Sequence, residues 1–248
     1  MRFTLLWIAV LALLLVLGGC ASTPGVSGGD NAAEEKLYTA AHEALQAGDY
    51  QLAIQHLEEL DVKYPFGSHA LQAQLDIAYS YYKNDEPESA LATANRFIKM
   101  NPRHKNVDYA YYLRGLATFK QTSGTLDRLL KRDPALRNSR AAEEALQYFA
   151  ELVSRFPDSA YAGDARQRMI YLRDYLARYE LNVARYYMRR GAFVAAAGRG
   201  RHILEEFDQT SVVPDTLQLL ADAYTRLGLT DLAADTQRVI ELNKTPAL

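Results

Sequence analysis

The chain has 248 residues, with 28 Lys or Arg against 30 Asp or Glu, for a formal net charge of −2. This balance disfavours a general nucleic-acid-binding protein, which normally carries an excess of basic residues. The single Cys excludes an intramolecular disulfide and a zinc site built from several cysteines. Hydrophobic residues make up 49% of the chain, too many for a wholly disordered protein.

The first twenty residues predict a removable leader. Arg2 precedes an apolar run, residues 3–17, that only Thr4 interrupts. As a helix, this run would be ~22 Å long, which is short of the roughly 30 Å of a bilayer core. It fits the apolar region of a secretory signal peptide that covers residues 1–19. The alternative is a signal anchor that is followed by an incidental cysteine.

The run ends in Leu17-Gly18-Gly19-Cys20, which resembles the lipobox of bacterial lipoproteins. Small residues before a Cys let the chain enter a peptidase groove, and the thiol then accepts a diacylglyceryl group. We expect Cys20 to become the acylated N-terminus, carrying diacylglycerol and palmitate, and we expect no other cofactor. Several acyl chains anchor a protein stably where one chain would be marginal.

The residues after the predicted acylation site indicate location and flexibility. An Asp directly after the acylated Cys tends to retain such lipoproteins in the inner membrane, and this chain has Ala21 there. We therefore expect a lipid anchor on the periplasmic face of the outer membrane. Residues 20–33 are rich in Gly, Ser and Pro, a composition that is typical of a flexible tether.

From Glu34 onward the sequence predicts helices and almost no strands. One helix pattern recurs five times, with a break at Gly, Asn or an acidic residue, then a small Ala, then an aromatic or aliphatic residue. The recurring alanines are Ala53, Ala90, Ala145, Ala196 and Ala233. The first pair and the last pair are each 37 residues apart, close to the ~34 of a tetratricopeptide (TPR) repeat. We predict an all-α, TPR-like α-solenoid of about five helix-turn-helix units.

Each recurring element of this pattern has a physical role. The small Ala lets the second helix of a unit approach the first. The Gly ends the first helix in a left-handed conformation, and the Pro after the second helix stops it. Because a single unit cannot bury its apolar face, the units stack into an array with a continuous concave surface.

Two spacings between the recurring alanines are longer, at 55 and 51 residues. The first contains a predicted helix at 107–121 and an insert at 122–140. The insert carries five basic residues, for which a solvated loop is favoured over contact with lipid headgroups or a partner: Arg128, Lys131, Arg132, Arg137 and Arg140. The second contains a long predicted helix at 160–188. It joins an N-terminal half, residues 34–140, to a C-terminal half, residues 141–248.

Several longer strings go beyond the generic repeat. They are residues 60–67 (LDVKYPFG), 78–83 (AYSYYK), 101–109 (NPRHKNVDY), 114–116 (RGL), 132–134 (RDP), 155–159 (RFPDS), 179–187 (YELNVARYY) and 190–192 (RGA). Together with the lipobox, their order resembles the BamD (ComL) family, the TPR lipoproteins of the outer-membrane β-barrel assembly machine (BAM complex). The resemblance covers residues 18–242.

The resemblance implies a non-enzymatic scaffold that is anchored by lipid at the outer membrane. Its implied partners are a periplasmic POTRA domain of the barrel subunit BamA, which the C-terminal half binds, and the smaller lipoproteins BamC and BamE where they are present. The N-terminal half is expected to receive unfolded outer-membrane β-barrel precursors. Their C-terminal signal has alternating apolar residues and a terminal aromatic residue.

The residues predict a groove that suits such a signal. In a TPR, every third or fourth residue of each first helix faces the concave side. In the first three units this stripe is rich in aromatic residues, and the stripe of the last unit is polar. The predicted groove residues are Tyr38, Leu75, Tyr79, Tyr82, Tyr109, Tyr112 and Phe119, and the polar stripe is Asp215, Gln218, Asp222 and Thr225. Aromatic pairs favour a peptide that ends in Phe or Tyr. The alternative is that these tyrosines only pack within the solenoid.

The C-terminal half has a basic stretch, which contains Arg185, Arg189, Arg190, Arg199 and Arg201. Arg199 and Arg201 are predicted to lie in a partner interface, because a guanidinium pairs with a partner carboxylate in a fork. In the family pattern, Arg199 lies in the region that meets the POTRA domain. The alternative is a solvated charged surface.

No catalytic or metal-binding motif is found. The five histidines are His42, His56, His69, His104 and His202. None of them belongs to an HExxH motif, and the sequence has no Walker A, GxSxG or dinucleotide-binding glycine pattern. We therefore predict that the protein is not an enzyme. Two alternatives are another periplasmic TPR lipoprotein that is an adaptor for peptidoglycan or envelope enzymes, and a hydrolase with an unrecognised site.

Overall fold

The structure is a computed structural model that describes residues 27–122 and 139–244. These residues form ten helices and no strands. The predicted signal peptide and the lipidation site Cys20 lie outside the described residues. So do four of the basic residues of the insert, namely Arg128, Lys131, Arg132 and Arg137.

Most of the helices are joined by two to six residues, whereas residues 122–139 separate the fifth helix from the sixth. In chain order they are α1 Ser27–Ala47, α2 Tyr50–Lys63, α3 Ala70–Lys83, α4 Pro87–Met100, α5 Val107–Gln121, α6 Arg140–Arg155, α7 Ala162–Arg189, α8 Phe193–Glu206, α9 Val213–Arg226 and α10 Thr230–Lys244. They pair into five units, each with a first and a second helix, and helix α5 coincides with the prediction. Arg140, the last residue of the predicted insert, is the first residue of α6.

Helix α1 begins before the expected boundary at Glu34 and takes in residues 27–33 of the predicted tether. Ala32 and Ala33 are strong helix formers. The Gly and Ser residues at the start of this segment give it the composition of a tether. For this reason the sequence did not predict a helix there.

The helices pack as a linear array. Each helix contacts its neighbours in the chain, and the first helices of successive units also touch, as α3 does α5 and α7 does α9. The first four recurring alanines are fully buried, whereas Ala233 in the last unit is half-buried. These contacts between consecutive helices confirm the predicted TPR-like solenoid.

Left-handed residues end the first helices of four units. Gly48, Gly191 and Gly228 have φ values of 75°, 72° and 72°. This confirms the role predicted for glycine, because an L side chain is strained in that region. The second unit uses Asp85 instead, at φ 66°. Short polar residues such as Asp tolerate this conformation better than other non-glycine residues.

Helix α7 is the long connecting helix that the sequence predicts, with 28 residues. Leu172, Tyr175 and Leu176 belong to the largest core cluster, which extends back to α3. Ala177, Leu181 and Ala184 belong to the next cluster, which extends forward to α9. One continuous helix is therefore shared by both halves of the array.

Two glycines of α8 test how tightly the units stack. A Cβ added to Gly200 would lie 2.8 Å from Leu220 Cδ2 on α9, whereas a Cβ on Gly198 would meet nothing within 4 Å. We expect Gly200→Ala to lower the free energy of unfolding by about 1–3 kcal/mol through overpacking. Gly198→Ala in the same helix should raise it by up to ~1 kcal/mol, because Ala is the better helix former. Urea unfolding of both variants measures the two values, and equal effects would contradict the close α8–α9 contact.

Candidate functional site

Six of the seven predicted groove residues keep part of their surface exposed. They are Tyr38 on α1, Tyr79 and Tyr82 on α3, and Tyr109, Tyr112 and Phe119 on α5. The seventh, Leu75, requires a correction, because it is fully buried in the largest core cluster. Helix α3 packs against α5 as well as α4, so the side of α3 that carries Leu75 is covered.

The aromatic rings of α5 and α7 form a connected row. Tyr161, directly before α7, stacks on Tyr112 with ring centroids 4.8 Å apart, and its ring lies 5.1 Å from that of Tyr109. Farther along α7, Tyr171 meets Phe119 edge-on at 5.7 Å and is 46% exposed. Tyr161 and Tyr171 were not among the groove residues predicted from the sequence. The same count of three or four residues, continued along α7, would have found both.

We call the partly exposed rings of Tyr79, Tyr82, Tyr109, Tyr112, Tyr161, Phe119 and Tyr171 the aromatic row. It spans three consecutive units, with Tyr79 and Tyr82 on α3 and with the rings of α5 in contact with Tyr161 and Tyr171. Its rings make intramolecular contacts and keep exposed surface, so packing within the solenoid and ligand binding do not exclude each other.

Hydrogen bonds fix one end of the aromatic row. The Tyr112 hydroxyl donates to Asp164 Oδ2 at 2.6 Å, and Arg168 Nε donates to the same oxygen at 2.5 Å. Burial and this hydrogen bond raise the pKa of Tyr112 to about 12. Burial raises the pKa of Asp164, but the hydrogen bonds from Arg168 and Tyr112 outweigh it and hold the pKa below its usual value. The Arg168 guanidinium also lies 5.1 Å from the centre of the Phe119 ring, within cation–π distance.

A second cation lies beside the row on α5. Lys120 Nζ donates to the backbone oxygen of Tyr82 at 2.8 Å, pairs with Asp85 Oδ1 at 2.8 Å and lies 5.1 Å from the Tyr82 ring centre. This contact ties the end of α3 to α5. The row is therefore aromatic along its length and has the cations Arg168 and Lys120 at its margin.

Tyr38 lies on α1, outside the aromatic row and near the turn that precedes α3. Its ring stacks on His69 at a centroid distance of 4.0 Å and lies 4.3 Å from the His42 ring. Burial raises the pKa of Tyr38, and the negative charges of Asp76 and Glu35 raise it further. Tyr38 is thus near Asp76, but its own ring contacts are with the two histidines.

Asp76 is a buried carboxylate on α3, only 9% exposed, that the sequence analysis did not identify. Gln72 donates to its Oδ1 at 2.9 Å, whereas its Oδ2 has no hydrogen-bond partner among the described residues. His42 Nε2 lies 3.9 Å from Oδ2. Burial raises the pKa of Asp76, opposed by the Gln72 hydrogen bond and by His42. The charge of Asp76 also contributes to the raised pKa of Tyr109, which is caused mainly by burial.

The predicted interface arginines lie on α8. Arg199 Nη1 donates to both carboxylate oxygens of Glu180 on α7, at 3.0 and 2.8 Å, and this hydrogen bonding raises the pKa of Arg199. The Arg199 side chain stays 44% exposed, whereas that of Glu180 is 14% exposed. Arg201 is exposed on the same helix. The polar stripe of the last unit also makes contacts with α7, since Arg185 pairs with Asp215 at 2.6 Å.

Within residues 27–122 and 139–244, no group of three or more His, Cys, Asp or Glu side chains could hold a metal ion. None of the helices in these two ranges combines the length and the apolar character needed to cross a membrane.

The buried Asp76 predicts a specific pH dependence of stability. Because its pKa is raised in the folded chain, the folded state takes up the proton more readily than the unfolded state. The stabilisation from this proton is present at low pH and is lost as pH rises through the raised pKa. We expect Asp76→Asn, which keeps an acceptor for Gln72, to unfold at a higher temperature than the natural chain at pH 7. The two melting temperatures should converge below the ordinary Asp pKa of ~3.9.

Asp164→Asn is the matched control, because the pKa of Asp164 is lowered in the folded chain. Its contribution to stability is present at neutral pH and is lost as pH falls through the lowered pKa. We therefore expect this variant to be less stable than the natural chain at pH 7. Thermal unfolding followed by circular dichroism from pH 3 to pH 8 measures both differences. If Asp76→Asn lowered the melting temperature at pH 7, the prediction would be wrong, and the Asp76 carboxylate would have a stabilising partner.

The chain was compared with known proteins. Residues 30–239 match the model of the YfiO family, described as an outer membrane lipoprotein. A protein of Neisseria meningitidis serogroup A named outer membrane protein assembly factor BamD is 47% identical over 216 residues, covering 86% of this chain and 81% of the relative. Proteins of the same name from Vibrio cholerae and Xylella fastidiosa strain 9a5c are 38% and 35% identical, covering 94% of this chain and 96% and 80% of their own lengths. This chain belongs to the YfiO (BamD) family of outer membrane lipoproteins.

Proposed function

We propose that this protein is a scaffold of outer membrane protein assembly within the BAM complex. It receives unfolded β-barrel precursors on the aromatic row and binds the barrel subunit through its C-terminal half. The observation that carries the proposal is the aromatic row, which stays partly exposed across three units in a member of the BamD family. The names of the relatives support the assembly role.

The chemistry of the row suits an extended polypeptide with alternating apolar residues. Such a segment presents a side chain every second residue on one face, about 6.8 Å apart. The row presents partly exposed rings from three consecutive units, so several apolar side chains on that face would contact a ring. A terminal aromatic side chain would gain roughly 0.5–1.5 kcal/mol from each ring pair beyond burial.

The C-terminal half would bind the POTRA domain of the barrel subunit. Arg199 already pairs with Glu180 through Nη1, and its exposed guanidinium has further donors for a partner carboxylate. Glu180 fixes the orientation of the guanidinium before a partner arrives, which lowers the entropy lost on binding. Smaller lipoproteins of the BamC and BamE kind would join the same assembly.

The location we propose is the periplasmic face of the outer membrane. The support is the lipobox that ends in Cys20, together with the match to a family described as outer membrane lipoproteins. A diacylglycerol and a palmitate on Cys20 would hold the chain at the membrane. The function proposed for the chain is binding and positioning, without a catalytic step.

Replacement of Tyr79 and Tyr82 tests the precursor site. We expect Tyr79→Ala with Tyr82→Ala to raise the Kd for a labelled barrel C-terminal peptide about tenfold or more, because two rings are lost. Tyr79→Phe with Tyr82→Phe keeps both rings and should bind within about twofold of the natural chain. Tyr186, 51% exposed on α7, gives the control variant Tyr186→Ala. Fluorescence anisotropy measures the Kd, and an unchanged value in the double Ala variant would rule out the row as the precursor site.

Replacement of Arg199 tests the partner surface. We expect Arg199→Ala to weaken binding of the isolated POTRA domains about tenfold, or ~1.4 kcal/mol, because an oriented cation is lost. Arg201→Ala, on the same helix, separates the effect of this residue from a general loss of positive charge. Surface plasmon resonance with the immobilised lipoprotein measures both. Equal small losses would assign both arginines to a solvated surface.

A further inference from the structure

The turn between α2 and α3 exposes an aromatic side chain that has no counterpart in the other units. Four turns follow a second helix, and each has the same backbone hydrogen bond from its fourth residue to its first. These bonds run from Gly67 to Tyr64, His104 to Asn101, Ser159 to Phe156 and Thr210 to Phe207, at 2.9, 3.1, 3.1 and 3.2 Å. The four turns are therefore structurally equivalent and can be compared position by position.

The third position of each turn is exposed to solvent, and its residue differs in kind. It is Arg103, Asp158 or Gln209 in three of the turns, but Phe66 in the first. Phe66 is 99% exposed, and Val62, one helical turn earlier, is 80% exposed. A fully exposed Phe next to an exposed Val is unfavourable in water, so a partner that covers it would gain the free energy of burying apolar area.

The first turn is also held firmly in place. Glu34 on α1 is buried, and it accepts hydrogen bonds from His69 N at 2.7 Å and from the Ser68 hydroxyl at 3.3 Å. Its carboxylate occupies the space that a Cβ on residue 67 would need, which explains the glycine there. Helix α1 therefore fixes the direction in which the turn presents Phe66.

The position of the turn indicates what covers it. Glu34 lies seven residues after the start of α1 at Ser27, or about 10 Å along the helix. Cys20 lies seven residues before Ser27, a stretch that spans at most about 24 Å. Glu34, which holds the Phe66 turn, is therefore within about 35 Å of the proposed acylated residue, in the unit of the array that is nearest to it in the chain. The other three turns belong to later units.

We propose that Phe66, with Val62 beside it, inserts into the lipid surface that holds the acylated N-terminus. This contact would be a second attachment to the bilayer, and it would fix the orientation of the first unit relative to the membrane. Aromatic side chains favour the interface between lipid headgroups and acyl chains. The inference rests on the proposed lipid attachment at Cys20, since the tether brings the turn to the bilayer.

The sequence offers a direct spectroscopic test. The only Trp is Trp7 in the predicted signal peptide, so the processed lipoprotein with Phe66→Trp has a single tryptophan. The matched control is Arg103→Trp, which places the reporter at the equivalent position of the next turn. Both acylated proteins are reconstituted into vesicles of phosphatidylethanolamine and phosphatidylglycerol, with or without brominated acyl chains. Melting temperatures like that of the natural chain show that both variants fold.

We expect brominated lipid to reduce the emission of the Phe66→Trp protein about twofold and to leave that of the Arg103→Trp protein nearly unchanged. Flotation of the vesicles reports the lipid attachment independently. If both proteins float with the vesicles and the emission of Phe66→Trp stays unquenched, the lipid attachment is present but the proposed insertion of Phe66 is wrong. Emission that shifts to the blue without quenching by bromine would show a protein neighbour and also overturn the insertion. If neither protein floats, the lipid attachment fails and the inference fails with it.

Discussion

The close contact between the two helices of each unit is the interaction on which the rest of the structure depends. Four of the five recurring alanines are fully buried, so the second helix packs directly against its neighbours without a large side chain between them. Gly115 serves the same purpose within the third unit and Gly200 between the fourth and fifth units, since a Cβ on Gly115 would collide with Phe149 and one on Gly200 with Leu220. These small residues determine how closely neighbouring helices pack. The packing distance in turn determines how far apart the first helices that carry the aromatic row lie.

The same packing explains why the aromatic residues are both structural and accessible. Besides its own second helix, α3 contacts α5 and α7 contacts α9, and part of the surface of each of these first helices stays exposed. On α3, the large ring of Tyr79 is partly buried and partly exposed. The shorter side chain of Leu75, one turn earlier on the same helix, is covered completely. Side-chain length therefore decides which residues of the stripe belong to the groove.

The repeat pattern predicted the helices well, because each signal is local. Gly48, Gly191 and Gly228 mark helix ends by their own backbone conformation, and the long α7 follows from the absence of Gly and Pro between residues 164 and 189. The site was predicted less completely, because it depends on contacts between units. The burial of Leu75 and of Asp76, and the stacking of Tyr161 on Tyr112, arise from residues that are far apart in the chain. Hydrophobic periodicity contains no information about such pairs.

Helix α7 holds the two proposed binding surfaces at a fixed distance from each other. Its first half carries Asp164, Arg168 and Tyr171, which border the aromatic row, and its second half carries Glu180, which orients Arg199. Arg168 and Glu180 are twelve residues apart on one uninterrupted helix, or about 18 Å. Because Leu172 to Ala184 is packed into two successive core clusters, bending α7 would disturb both. A polypeptide on the row would therefore be held at a set distance from the partner of the C-terminal half, which is what transfer from one binding partner to the other requires.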